Sequence, residues 1–275
     1  MFTHPSMDLH VHSVFSDGKL TPDELAALAA RRNVSALAIT DHDTLAGAGE
    51  KLAACLAHGV ECVMGVELSC RLEKKEVHVL SLFADPASSQ LGRLREISLF
   101  REKRMLRMLE RLAGLGIRLE LADLEVDKAG VYGRPHLARA LVRKGAVRNV
   151  GEAFARYLYD GGPVQMEKYE LPAAEGIELA KGLGGAAILA HPGVSDLLDD
   201  LDRLAGLGLD GIEVYHPRHE GETIARLLTY CREKNLLISG GSDYHEPGDG
   251  TEIGLPRTPR EFLEPLRERA AARKG

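Results

Sequence analysis

The sequence predicts an α/β fold built on a parallel sheet that closes, or nearly closes, into a barrel and is interrupted by a block of helices. Three observations carry this. Seven short apolar segments alternate, for the most part, with amphipathic helical ones, the pattern that sets parallel strands side by side. Between about residues 88 and 160 the alternation stops and only helical periodicity is found. Histidines and carboxylates gather at or just past the C-terminal ends of the apolar segments, the end at which parallel barrels keep their sites.

The first segment reads Met7-Asp8-Leu9-His10-Val11-His12, followed by Ser16-Asp17-Gly18. Strand periodicity puts His10 and His12 on one face with Asp8 beside them. Two adjacent neutral imidazoles are easily accommodated when each gives a lone pair to a metal ion. A surface strand bearing two histidines would look the same if the pair stood alone. Thr21-Pro22-Asp23-Glu24 is a capped helix start, and the Ala/Leu-rich run after it extends to about residue 32. The strand Ala36-Leu37-Ala38-Ile39-Thr40 ends in Asp41-His42-Asp43. A second helix runs to His58-Gly59, and a third strand over 61–69 contains Gly65-Val66-Glu67. A fourth strand over 77–83 holds His78 within its body, so that residue has to face inward.

The helical block opens with a long Arg-rich amphipathic segment over 90–115, then segments over 133–144 and 150–159. Alternation resumes with a helix over 173–183 and the strand Ala186-Ala187-Ile188-Leu189-Ala190, which leads into His191-Pro192-Gly193. After a further helix come Gly211-Ile212-Glu213-Val214-Tyr215 and the run His216-Pro217-Arg218-His219. A helix over 222–234 leads to Leu236-Leu237-Ile238-Ser239 and then to Ser242-Asp243-Tyr244-His245.

Composition narrows the field. At 275 residues with 44% hydrophobic content, the chain buries a sizeable core. A formal charge of -6 argues against a general nucleic-acid or membrane-surface binder. No apolar run approaches the roughly 18 residues of a membrane span. The opening residues lack the pattern of a secretory signal. Cys55, Cys62, Cys70 and Cys231 form no C-x-x-C pair, which predicts reduced thiols in a cytoplasm. His4 is expected at the surface.

In order, Asp8-x-His10-x-His12-Ser13 with Ser16-Asp17-Gly18, Thr40-Asp41-His42-Asp43, Gly65-x-Glu67, His78, Ala190-His191-Pro192 and Ser242-Asp243-x-His245 resemble the motifs of the PHP (polymerase and histidinol phosphatase) family over residues 7–246. The resemblance implies a distorted (β/α)7 barrel over 1–87 and 161–275, with 88–160 as a helical insertion capping the substrate. It also implies two or three divalent metal ions at the mouth. His10, His12, Glu67 and Asp243 would hold one; Glu67, His78 and His191 a second; Asp17, His42 and His245 a third. All donors are nitrogen or oxygen, which suits manganese, the favoured choice, and also zinc or iron. Asp8, Asp41 and Asp43 are expected to orient imidazoles or to cap backbone.

The insertion is similar to that of the subgroup containing 3',5'-nucleotide bisphosphate phosphatases and the RNase AM (TrpH-like) exoribonucleases. The matching residues are Arg101-x-x-Arg104, Gly133-Arg134-Pro135-His136 and Tyr157-Leu158. Arg101 and Arg104 stand one turn apart, and guanidinium forks match phosphate oxygens. A solvated basic face would also carry them, since Arg93, Arg95, Arg107 and Arg111 share the segment. Arg134 and His136 fall at a helix start, where anions are favoured. Many subgroup members have Thr where Pro135 stands here. The chain lacks Trp, so stacking on a base would fall to residues such as Tyr132 or Phe100, each of which also fits a core role. The activity implied is metal-dependent hydrolysis of a phosphate ester on a small nucleotide carrying two phosphates. Asp243 and His191 act at the metals, and His219 or a metal-held water protonates the leaving oxygen. The alternatives are 5'→3' hydrolysis of short RNA, histidinol phosphatase, C–N bond hydrolysis as in other amidohydrolases, and a non-catalytic metal-binding scaffold. No stable protein partner is expected.

Overall fold

The computed structural model describes residues 6–126, 130–167 and 169–273, which leaves His4 outside the described residues. The strands are β1 (Ser6–Val11), β2 (Val34–Ile39), β3 (Glu61–Leu72), β4 (Lys75–Leu82), β5 (Ala186–Leu189), β6 (Gly211–Tyr215), β7 (Leu237–Gly240) and β8 (Thr258–Pro259). They form one sheet in the order β7-β6-β5-β4-β3-β2-β1-β8. The barrel is nearly closed by the segment after β7. Asp243 N–H donates to the His10 carbonyl (2.8 Å) and His12 N–H to the Tyr244 carbonyl (2.9 Å), so the last strand tip lies against β1. Gly241 allows this contact, because a Cβ there would stand 2.5 Å from the His10 nitrogen.

The α/β barrel expected from sequence is present, with two differences. The sheet is not uniformly parallel, since β4 runs antiparallel to both β3 and β5. Glu73 and Lys74 form the link of a β3–β4 hairpin, too short for the crossover a parallel pair needs. The reversal explains His78. Because β4 starts at the mouth, a residue near its beginning reaches the same rim that the other strands reach at their ends. The second difference is at the C-terminus, where β8 and helix α9 (Leu263–Ala271) were not anticipated. Arg260 and Arg267 pair with Glu61 at the start of β3, and Arg269 (2.8 Å) and Arg273 (2.7 Å) pair with Asp210 just before β6. α9 therefore closes the end opposite the mouth.

The remaining helices are α1 (Pro22–Arg31), α2 (Ala48–Ala57), α3 (Leu91–Gly114), α4 (Arg134–Arg143), α5 (Val150–Ala153), α6 (Ala173–Gly182), α7 (Leu201–Gly206) and α8 (Gly221–Lys234). Thr21 caps α1 through a reciprocal bond with Glu24. A π-helical turn, Phe154–Leu158, continues α5. α3 belongs to two cores. Leu94 and Ile97 pack with α6 and the outer faces of β3 and β4, whereas Met105, Met108 and Leu112 join α4 in a separate apolar cluster that extends to Val164. Residues of 88–160 thus carry a core of their own beside the barrel mouth. Among the described residues no helix is long and apolar enough to cross a membrane, and the four cysteines are free thiols.

Candidate metal centre and the cavity beside it

Glu67 is the hub of the mouth. Its Oε2 lies 3.3 Å from His10 Nε2, 3.2 Å from His12 Nε2 and 3.0 Å from His42 Nδ1. Its Oε1 lies 2.7 Å from His78 Nδ1 and 3.1 Å from His191 Nε2. Asp243 Oδ1 approaches the same His10 and His12 nitrogens at 3.5 and 3.3 Å. On the other side of His12, Asp17 faces His245 Nε2 (3.4 Å) and His42 Nε2 (3.9 Å). Three groups result whose donor atoms lie within 4.8 Å of one another: His10, His12 and Glu67; His42, Glu67 and His78; and His12, Asp17, His42 and His245. The structure therefore brings together the residues expected as ligands, with His42 and His12 each reaching a neighbouring group as well as the one expected.

A divalent cation fits these donors. His10 Nε2, His12 Nε2, His42 Nδ1, Asp17 Oδ1 and Glu67 Oε2 are buried and make no hydrogen bond, and their residues all belong to these three groups. Buried polar atoms are otherwise nearly always bonded. The arrangement is also electrostatically loaded. Burial alone would raise the Glu67 carboxyl, but the imidazoles of His42, His78 and His10 hold it well below the usual carboxylate range. Asp17 and Asp243 are depressed in the same way, against their burial, by His245 and His42 and by His10 and His12 respectively. Burial would depress the imidazoles of His78 and His245, yet Glu67 and Asp17 push each up to about 10. His191, Asp43 and Asp243 all adopt positive φ (28°, 53° and 51°), a conformation held by the packing at the rim.

Supporting residues fix the donors. Glu213, fully buried in the middle of β6, accepts from His10 Nδ1–H (3.1 Å) and from the His191 N–H (2.8 Å). Sequence reasoning passed it over, although a lone carboxylate inside an apolar strand has to find a partner. Glu213→Gln is expected to lower metal affinity and kcat by about 10- to 100-fold with little change in the fold, measured by competition with a metal indicator and by steady-state kinetics. Asp41 accepts from Ser13 N–H (2.8 Å), from the Ser13 and Ser16 hydroxyls (2.7 Å each) and from the buried Lys51 (2.6 Å). It thus acts on His12 through Ser16, whose hydroxyl is 3.4 Å from Nδ1. Asp43 pairs with Arg101 and accepts from Ser69 N–H. Asp8 reaches no imidazole and instead accepts from the Ser242 (2.9 Å) and Gly254 (2.7 Å) N–H groups.

Two expected residues point elsewhere. His219 donates from Nδ1 to the Val214 carbonyl (2.9 Å) and accepts at Nε2 from Gly193 N–H (3.1 Å), so it presents no proton to the mouth. Its neighbour His216, buried and not singled out from sequence, does reach in, with Nε2 3.4 Å from Asp243 Oδ2. His136 was expected beside Arg134 as an anion donor. Its Nδ1 instead accepts the Gly133 N–H (3.1 Å). Burial and the charge of Arg139 push it down to about 4, so it is a neutral ring.

The arginines do converge. A cavity of about 180 Å³ is lined by Asp17, His42 and His78 together with Arg101, Arg104 and Arg134, with Ile97, Phe154 and Tyr169 as apolar surface. Arg101 donates to Ser69 Oγ (2.8 Å) and Arg134 to Asp160 (2.9 Å) and the Leu158 carbonyl (3.1 Å). Arg104 Nε is buried without a hydrogen bond. Burial, with the like charges of Arg101 and Arg134, pushes this guanidinium down to about 10, the signature of a cationic pocket that an anion would relieve. Phe100 packs edge-on against Tyr169 (5.4 Å), and Tyr132 packs against the apolar core of the helical block.

Comparison with known proteins agrees with this geometry. The PHP domain family model matches residues 8–146. A 3',5'-nucleoside bisphosphate phosphatase of Chromobacterium violaceum is 35% identical, with 89% of each chain covered. A 5'-3' exoribonuclease of Haemophilus influenzae is 34% identical over 90% of this chain and 92% of its own. Among solved structures, a candidate metal-dependent phosphoesterase of Bifidobacterium adolescentis superposes with a TM-score of 0.88 at 32% identity, covering 96% of both chains.

Proposed function

The chain belongs to the PHP-domain family of metal-dependent phosphoesterases, and on that premise we propose that it removes the 3'-phosphate of a small nucleoside 3',5'-bisphosphate, giving the 5'-monophosphate and inorganic phosphate. The observation that carries the proposal is a cavity lined both by cation donors and by three guanidinium groups. Such a cavity suits a ligand with two phosphates held apart by a short spacer. Phe154 and Tyr169 offer faces on which a base can lie.

In this reading Arg101, Arg104 and Arg134 bind the remote phosphate, and its binding energy orients the scissile ester. Asp43 and Ser69 hold the Arg101 fork in place. His10, His12, Glu67 and Asp243, with His78 and His191, and Asp17 with His42 and His245, would hold divalent ions, manganese being favoured. Bound there, such ions would supply an activated water and offset the charge of the phosphoryl oxygens. Glu213 keeps the His10 proton on Nδ1, so that Nε2 offers its lone pair to the mouth. With His219 engaged on both sides, His216 is the imidazole in the better position to affect the leaving oxygen.

A second reading, 5'→3' hydrolysis of short RNA, is favoured by one observation. Arg104 also lines a neighbouring cavity of about 530 Å³ with Lys103, Arg107 and Arg111, so positive surface continues past the first pocket. The manganese-loaded protein is expected to release phosphate from adenosine 3',5'-bisphosphate with a kcat/KM at least tenfold above that for a four-nucleotide RNA. The reverse order would make the exonuclease the main activity, and no phosphate from the bisphosphate together with no nucleoside monophosphate from the RNA would refute both. Arg104→Ala is expected to raise KM for the bisphosphate by about 10- to 100-fold, on the scale of about 1–3 kcal/mol for a charge-assisted contact.

A further inference from the structure

The loop that carries Asp17 is held from two sides. Its donors point inward, where Ser13 N–H, Ser13 Oγ and Ser16 Oγ all end on Asp41. Its acceptors point outward, and two of its carbonyls are met by the helical block. Phe15 O accepts from Val131 N–H (3.0 Å) and Asp17 O from Arg139 Nη2 (3.1 Å), with the His136 ring beside the Ser16 backbone between them. Arg139 Nη1 also faces Glu246 (3.9 Å), which pairs with Lys19 (2.5 Å), while Lys19 N–H donates to the His245 carbonyl (2.9 Å). One guanidinium therefore ties together the backbone around both Asp17 and His245.

We propose that the segment 131–139 is a clamp that assembles the cation site of Asp17, His42 and His245, with Arg139 as its positioning residue. This rests on the metal-centre reading above and goes beyond it, because it gives the helical block a role in ion binding separate from holding substrate. A loop with its carbonyls unmet would rotate toward water, taking the Asp17 carboxylate away from His245 Nε2, now 3.4 Å off. Arg134, at the first turn of the same helix, lines the cavity beside the donors, so α4 connects phosphate binding to the cation site of Asp17.

Ion content after dialysis and manganese affinity by calorimetry test the proposal on the full-length protein. Arg139→Ala is expected to bind about one ion fewer per chain, or to hold its weakest ion about 10- to 100-fold less tightly, while the tighter ions are unchanged. Arg139→Lys should restore part of the loss. If Arg139→Ala fails to fold, Arg139→Met, which keeps the buried stem, is read in the same way. Arg143→Ala, on the same helix but bonded within the helical block, should match the wild type. In kinetics, kcat should fall more than KM rises. An Arg139 variant with wild-type ion number and affinities overturns the clamp and leaves the proposed activity intact. Loss of one ion from a protein that cleaves no phosphate ester supports the clamp and overturns the activity. A wild-type protein that binds no divalent ion overturns both.

Discussion

Glu67→Gln is expected to abolish phosphate-ester hydrolysis and to lower the ion content. No other carboxylate at the mouth is in contact with imidazoles from as many strands, those of His10, His12, His42, His78 and His191. Both oxygens are used, one toward each set, so the amide can satisfy at most one of them, and its NH2 would point at lone pairs meant for a cation. The expected fall in kcat/KM is about 10³-fold or more, equivalent to at least about 4 kcal/mol of transition-state stabilisation. Steady-state kinetics with elemental analysis of the same sample is the check. A variant within tenfold of the wild type, with its ions retained, would remove Glu67 from the centre. Arg104→Ala, which leaves the donors in place, should instead retain its ions.

The second large effect concerns pH. In the metal-free protein His78 and His245 have pKa values of about 10, whereas an unfolded histidine titrates near 6.5. Groups raised on folding contribute stability that is complete below the unfolded value and lost as pH rises through the folded one. The metal-free protein should therefore lose stability progressively between pH 6.5 and about 10. The depressed carboxylates Glu67, Asp17 and Asp243 act in the opposite sense, and their contribution is lost only as pH falls below the ordinary carboxylate range. A cation must displace the imidazole protons, so its affinity should rise across the same alkaline window with protons released. Thermal denaturation of chelated protein at a series of pH values, and calorimetry in buffers of different ionisation enthalpy, measure the two effects. A flat denaturation midpoint from pH 6.5 to 10 with no proton release would show that Glu67 and Asp17 do not hold these rings protonated.

Much of the centre was legible in the sequence because strand periodicity and strand ends are local signals. His10 and His12 share a face by alternation alone, and His42, His191 and Asp243 follow apolar runs directly. What escaped depends on contacts between distant segments. The reversal of β4 lies in a two-residue link, Glu73-Lys74, that carries no strong turn signature. Glu213 is read as one more strand residue until the fold sets it against His10, 203 positions away. His136 shows the converse error. Its place at a helix start is compatible with anion binding, and only the fold shows that burial and the nearby Arg139 keep the ring neutral while its Nδ1 accepts from Gly133. His216 and His219 are three apart, and nothing local says which one Val214 and Gly193 will occupy.

The closure of the sheet by the segment after β7 has a consequence for biosynthesis. The donors span positions 10 to 245, and the last of them reach the first only when that segment lies against β1. While the chain is still being translated, the early histidines emerge without Asp243 and His245. The complete centre therefore forms only after residue 245 has left the ribosome and its segment has packed on β1, so assembly of the full donor set follows the folding of the barrel rather than nucleating it.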